Sequence, residues 1–494
     1  MREKTATLLL CFLLSCLLPA QSLPDFEKKV TEFTLPNGLH FIVLQRHEAP
    51  VVSFHTYVNS GSVDDPGGKT GLAHMFEHMA FKGTDSIGTT DYAAEKKAMD
   101  AIEAIYDRLD AERSDPKRAE ALQAELKAAI DKAASYVDAN AFVRIIEASG
   151  GVGLNAGTGM DSTSYFYSLP SNKIELWFLL ESQRFRHPVY REFYRERDVV
   201  REERRMRIES NPQGKLMEVL LAMSFMAHPY RNLPGGWAED IENLRVRDAE
   251  QFFRTYYVPS NITIGIAGDV QPGEVKRLAE KYFGALPKAP PRPELHTVEP
   301  KQEGERRAVV VSPTQPLLMI SYKRPDQLDK DDPVFDVLSY ILSSGRTGLL
   351  YRELVRDRRI AMAAAAQASF PGTKYPNAFL LYAVPSVGHT VEENEKACYE
   401  VLERLRTEKV DPATLDRVKT KIRAGVIRGL DSNSGLAEQL TYYRVNYGDW
   451  RKLFTAIEEI NKVTAEDVQR VARQYFTPEA RTVVWTARPA EVAK

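Results

Sequence analysis

Cysteine is almost missing from this chain: three in 494 residues, with Cys11 and Cys16 both among the first 22. Only Cys398 is left in the remainder, which excludes a disulfide framework there. Cys398 lies in the amphipathic stretch Glu393–Leu405 and reads as a small core residue, not a nucleophile. Long apolar runs are missing too. Thr7–Leu18 is too short to span a bilayer, and no later segment has the length and apolarity to do so. Neither sign of charge is in excess, since 66 Lys and Arg face 68 Asp and Glu for a formal net charge of −2. A nucleic-acid or membrane-surface role thereby loses its usual electrostatic footprint. Histidine is scarce, nine in all, and two of the nine stand four residues apart.

Around that pair the sequence has a helix pattern. In Gly71–Phe81, Leu72, Met75, Phe76, Met79 and Ala80 recur at helical spacing and form a buried face. His74 and His78 project from one face, one turn apart, where two neutral imidazoles can hold one Zn²⁺. Glu77 lies near the same face, placed to take a proton from a water beside the metal. The order His-x-x-Glu-His inverts the commoner His-Glu-x-x-His zinc signature. A metal needs a third protein ligand, and the acid-rich stretch Arg195–Arg205 offers one. Glu196 and Glu203 are seven apart, nearly two turns, and share a face with Val199 and Val200. Glu202 points about 100° away from Glu203, among arginines. The expected ligand set is therefore His74, His78 and Glu203, with Glu196 as hydrogen-bond partner of a histidine ligand. The alternative for such a charge run is a solvated helix laced with Glu–Arg pairs.

These residues carry a resemblance. His74-x-x-Glu77-His78 is followed by Met79-Ala80-Phe81-Lys82-Gly83-Thr84, then by Asn155-Ala156…Thr163-Ser164-Tyr165, the Glu196…Glu203 helix and His228-Pro229-Tyr230. Together they resemble the inverted-zincin peptidases of the pitrilysin, insulinase and mitochondrial processing peptidase family, peptidase family M16, in its shorter two-domain bacterial form. The resemblance implies an α+β fold: two homologous α/β-sandwich domains, each an antiparallel sheet packed with helices, forming a clamshell. It implies one Zn²⁺ per chain, with Glu77 as general base. It also places Asn155 and Ala156 on an edge strand that adds a substrate backbone to the sheet. Two features depart from the family pattern. Between His78 and Glu203 lie 124 residues, more than the family's spacing. The family's second domain also carries an Arg and, seven residues later, a Tyr that reach the zinc site. Aligned on Leu354 and Ala361, this chain has Val355 and Met362 there, and neither can donate a hydrogen bond to a substrate carbonyl.

The remaining organisation follows from pattern. Residues 1–22 read as an export signal: a short basic start, the apolar run, and small residues before a cleavage near Ser22. Leu14-Ser15-Cys16 offers the alternative of a lipid-bearing Cys16. Residues 26–285 form the expected N-terminal zinc-binding domain, opening with strands at Val30–Leu35, Leu39–Leu44 and Val51–Val58. His40 and His55 alternate with apolar neighbours there and read as sheet-face residues. The excess length sits at about 91–147, an Ala-, Lys- and Glu-rich helical hairpin breaking at Ser114-Asp115-Pro116 and running on through Lys117–Ile146. It is either a lid or docking arm, or a solvated decoration. A helix at Ile174–Arg186 takes Leu176, Phe178, Leu179 and Leu180 as its core. Residues 286–306 are a Pro-rich linker. Residues 307–494 form a C-terminal domain without His-x-x-Glu-His. An internal repeat ties the two domains: Asp248, Arg254, Tyr256, Pro259 and Thr263 recur as Asp467, Arg473, Tyr475, Pro478 and Thr482, each shifted by 219.

The resulting expectation is an exported zinc endopeptidase, periplasmic or extracellular, acting on peptides or unfolded polypeptides. Its partner would be a related two-domain chain carrying the Arg/Tyr pair, or else a second copy of itself. Neither nucleic acid nor a transmembrane segment is part of the expectation. Rival readings are a processing peptidase for one precursor and a non-catalytic assembly subunit with a vestigial metal site.

Overall fold

The computed structural model describes residues 26–112 and 114–489. The export-signal reading of residues 1–22, with Cys16, lies outside the described residues. Among the described residues no helix is long and apolar enough to cross a membrane.

Two sheets organise the chain. The first comprises β1 (Val30–Thr34), β2 (His40–Gln45), β3 (Val51–Val58), β4 (Val152–Thr158), β5 (Thr163–Pro170) and β6 (Ile262–Gly268), in the order β1-β2-β6-β3-β5-β4. The second comprises β7 (Arg306–Val311), β8 (Leu318–Arg324), β9 (Ala361–Phe370), β10 (Asn377–Pro385) and β11 (Arg481–Ala487), in the order β7-β11-β8-β10-β9. Both are antiparallel except for one pair each, β2 with β6 and β7 with β11. Those exceptions have a common cause: β6 and β11 each arrive after a long helical excursion, the kind of crossover that parallel pairing needs. The repeat read from the sequence is structural. Helix Val246–Tyr256, the turn Pro259–Asn261 and β6 are answered by helix Ala465–Tyr475, Pro478–Ala480 and β11, with every boundary shifted by 219. The α+β class of two similar sheet-and-helix units, with a helical hairpin in the first, is the one found.

Each sheet is covered on both faces, and the two coverings differ in origin. Strand side chains alternate between faces. Phe41 and Val43 join the core beneath the first unit's own helices, where Trp177 stacks on Phe54 at 4.5 Å. Ile42, Leu44 and Ala267 turn the other way and meet Leu436, Ala437 and Leu440 of helix Asn433–Tyr447, which belongs to the second unit. The exchange is reciprocal. Helix Pro212–Ser224 of the first unit lays Leu216 and Leu220 on Met319, Leu380 and Val484 of the second sheet. Burial of a Leu side chain contributes about 2 kcal/mol, so these crossed helices fasten the units. Gly265 on β6 permits the contact, since a Cβ there would stand 2.6 Å from the Ala437 carbonyl oxygen. Burial on both faces also explains why Phe41–Leu44 is apolar throughout and does not alternate.

Two local readings change. The second arm of the hairpin is not continuous to Ile146. Helices Tyr92–Ala111 and Pro116–Ala134 form the hairpin, and a separate helix, Ala141–Ala148, follows a break. The break is held by Asp138 N–H donating to Gly88 O and by Asn140, just before the next helix, at φ 59°, a left-handed conformation that a continuous right-handed helix does not contain. In Ile174–Arg186 the core takes Trp177 in place of Leu179, which is exposed.

His55 on β3 is buried against the crossed helix, its Nδ1 2.8 Å from Thr441 Oγ1. Burial pushes its imidazole down to about 4. The unfolded chain, with an ordinary histidine near 6.5, binds more protons than the folded one between pH 6.5 and 4. Stability contributed by neutral His55 is present above that window and is lost as pH falls through it. By pH 5 the loss should reach about 2 kcal/mol. Denaturant titrations at pH 7 and pH 5 check this: the midpoint should fall, and His55→Gln should remove part of the fall. An equal fall in both proteins counts against it.

Candidate metal centre

The centre is built on helix Leu72–Met79, whose Leu72, Ala73, Met75, Phe76 and Met79 are buried. Its first turn is fixed by Asp65, which accepts N–H bonds from Gly71 at 2.7 Å and Ala73 at 2.8 Å. Gly71, at φ 88°, makes the sharp entry. Helix Phe193–Arg204 lies across it and brings Glu196 and Glu203 to the histidines.

His74, His78 and Glu203 offer three ligand atoms within 4.8 Å of one another. Glu203 Oε2 stands 3.7 Å from His74 Nε2 and 3.5 Å from His78 Nε2. Ligands about 2.0–2.1 Å from a tetrahedral zinc lie roughly 3.3 Å apart, so this donor set fits the ion, and three protein ligands leave a fourth position open. Glu202, in contrast, faces solvent and pairs with Arg205 at 2.6 Å. Glu196 Oε2 is 3.3 Å from His78 Nδ1. A carboxylate there must accept, so His78 carries its proton on Nδ1 and presents the Nε2 lone pair toward Glu203. Lys82 Nζ pairs with Glu196 Oε1 at 2.5 Å and Glu192 at 3.2 Å. Burial and the charge of His78 hold His74 below the ordinary histidine range. Burial also lowers His78, but the hydrogen bond and charge of Glu196 outweigh it and the net shift is upward. Burial raises Glu196, yet His78 and Lys82 bring it below the usual carboxylate range.

Glu77 borders two cavities. One is a groove of about 770 Å³ that also holds His74, His78, Glu203 and the β4 residues Asn155, Ala156, Gly157 and Thr158. The other, of about 380 Å³, is walled by Val137–Asn140 at the base of the hairpin. Asn155 and Ala156 lie on β4, the edge of the first sheet, paired inward with Phe166 and Tyr165. The residues lining the groove run from 74 to 235, so the second unit contributes none of them. Val355 is partly buried against the second unit's core, and Met362 is exposed on β9.

Three contributors escaped the sequence reading. Thr158 Oγ1 donates to Glu77 Oε2 at 2.7 Å. Arg207, in the π-helical turn Arg205–Glu209, pairs with Glu203 Oε1 at 2.6 Å; its i, i+4 spacing was a readable signal. Arg191 gave no signal. It is buried, and all five of its N–H groups are engaged: by both oxygens of Glu95 and by the carbonyls of Lys82, Thr84 and Ile87. It thus ties the end of the histidine helix to the hairpin.

Similarity to known proteins agrees with this geometry. The family description "Insulinase (Peptidase family M16)" matches residues 41–106, and "Peptidase M16 inactive domain" matches residues 243–422. "Zinc protease PqqE" of Helicobacter pylori is 29% identical over 470 residues, 93% of each chain. The chain belongs to peptidase family M16. The crystal structure of a protease from Helicobacter pylori superposes on this M16 chain with a TM-score of 0.78 at 27% identity, covering 93% of this chain and 99% of that one. The periplasmic protease PqqL from Escherichia coli has the same fold, with a TM-score of 0.68 at 15% identity. That match covers 94% of this chain but 48% of the PqqL chain. Membership places this chain in a metallopeptidase family whose named relatives include zinc proteases. The segment described as inactive begins past the histidine helix and extends over most of the unit without His-x-x-Glu-His.

Proposed function

We propose that this M16 chain is an exported zinc endopeptidase that cleaves peptides or unfolded polypeptides in an enclosed chamber, as the zinc-bearing subunit of a two-chain enzyme. The observation that carries the proposal is one groove holding His74, His78, Glu203 and Glu77 beside the free edge of β4. His74, His78 and Glu203 would hold one Zn²⁺, which when bound polarises the scissile carbonyl and acidifies water at its open position. Glu77 takes the proton of the attacking water and passes it to the leaving amine. Glu196 keeps His78 in its tautomer. Asn155 and Ala156 sit on an edge whose outward N–H and C=O groups can pair with a substrate backbone.

Three observations support the two-chain part. Val355 and Met362 stand where the family has donors, and the second unit supplies nothing to the groove lining. The nearby Arg356 and Arg358 are engaged elsewhere, with Asp357 and Glu400, each at 2.6 Å. A solved chain of the same fold, the periplasmic protease PqqL, is matched over 48% of its length, so it carries about as much chain again beyond the part similar to this one. Export is supported by the pattern of residues 1–22, with lipidation at Cys16 as its variant, and by the periplasmic description of that neighbour.

The test is cleavage of an unfolded peptide by the zinc-loaded chain, with and without chelator, alone and mixed with a related two-domain chain carrying the Arg/Tyr pair. Alone it should be weakly active or inactive. Mixing should raise the rate by about 10²-fold or more, the usual worth of an oxyanion donor, and chelator should abolish it. Full activity alone with no rise on mixing overturns the two-chain reading. Cleavage confined to one precursor favours a processing peptidase, and no chelator-sensitive cleavage at all favours an assembly subunit.

A further inference from the structure

The β4–β5 turn is clamped from three directions. Ser62 and Val63 donate backbone N–H bonds to the Gly159 and Met160 carbonyls at 3.1 and 3.0 Å. Tyr230, wholly buried, donates its hydroxyl to Asp161 Oδ1 at 2.5 Å. The second unit reaches over from residues 372–375: Thr373 and Lys374 donate their N–H groups to Asp161 Oδ2 at 2.9 and 3.2 Å. The fit admits no side chain at Gly372, whose Cβ would lie 2.4 Å from Tyr230 Oη and 2.6 Å from Asp161 Oδ2. Thr158 leaves this clamped turn as the last residue of β4, and its hydroxyl meets Glu77 Oε2 at 2.7 Å.

We infer that Thr158 is a positioning residue for Glu77, and that the second unit sets its position through Asp161. The inference rests on the peptidase reading above. A carboxylate on a flexible side chain has two equivalent oxygens and a rotatable plane. The Thr158 hydroxyl engages Oε2, fixes the plane and leaves Oε1 as the oxygen that receives the proton. Proton transfer is sensitive to such placement, because geometry within hydrogen-bond reach decides whether a base works. The second unit then has a part in catalysis without lining the groove: it holds the turn that holds the hydroxyl.

The test uses the full chain, zinc-loaded, in the active assembly. Thr158→Val keeps the side chain's shape and removes the donor. Its kcat should fall about tenfold, with KM within twofold and with zinc content and melting temperature at wild-type values. Thr158→Ser should restore kcat to within threefold. Tyr230→Phe, which removes the donor to Asp161, should lower kcat about threefold in the wild-type background and not at all in the Thr158→Val background. Wild-type kcat in Thr158→Val overturns the positioning role, as does a Ser variant as impaired as the Val variant. An equal Tyr230→Phe effect in both backgrounds overturns the link through Asp161. Should the wild-type protein show no chelator-sensitive cleavage, the peptidase reading itself falls and takes this inference with it.

Discussion

Glu77→Gln is expected to leave the zinc content and the fold unchanged and to lower kcat by about 10³-fold, within the range that general base catalysis supplies. Glu77 is one residue from His78, yet it is not among the three donors that converge. Its Oε2 is held by Thr158 and it faces the groove. Glutamine keeps the size of the side chain and the hydrogen bond from Thr158 but cannot accept a proton at neutral pH. Metal analysis beside single-turnover kinetics decides the matter. Zinc loss as large as that of His74→Ala would make Glu77 a ligand and end its assignment as base.

Glu203→Gln should empty the site, and Glu202→Gln should leave it filled. The two are neighbours in sequence and lie on different faces of their helix. Glu203 Oε2 stands between the two histidine nitrogens, while Glu202 is spent on Arg205 at the surface. A neutral amide is a poor replacement for a carboxylate on a dication, and two histidines alone fall short of the three protein ligands of a catalytic zinc site. Activity should disappear with the metal in the first variant and stay within twofold in the second. Metal loss in Glu202→Gln would show that the helix sits one residue out of the register described.

Local spacing made half of the site readable. His74, Glu77 and His78 lie within five residues, so a helix periodicity is enough to place them together. Glu196 and Glu203 are seven apart, and that spacing singled them out from Glu202, although of the two valines read onto their face Val200 is buried and Val199 is exposed. What could not be read depends on tertiary approach. Thr158 meets Glu77 across 81 positions, and nothing in a threonine near a strand end announces that it will donate to a carboxylate on another element. Arg191 looks like any surface arginine until the stretch 82–87 and Glu95 of the hairpin supply its acceptors. The hairpin showed its helices through their Ala-, Lys- and Glu-rich composition, but its second break did not show. Asp138-Ala139-Asn140 lacks the glycine or proline that usually marks a stop, and the halt comes from contact with Gly88. Nothing in the sequence of helix Asn433–Tyr447 says that it covers the sheet of the other unit.

The crossed helices have a consequence for how this chain is made. The first sheet gains its last strand at Gly268, but the helix that covers its second face ends at Tyr447, 179 residues further on. At about 5–20 residues per second of synthesis, that interval is roughly 10–35 seconds. Throughout it, Ile42, Leu44 and Ala267 wait uncovered on a nearly finished sheet. The N-terminal unit is therefore a half-clad intermediate during translation, open to wrong partners of the same shape. Each unit completes its burial only with the helix that the other supplies.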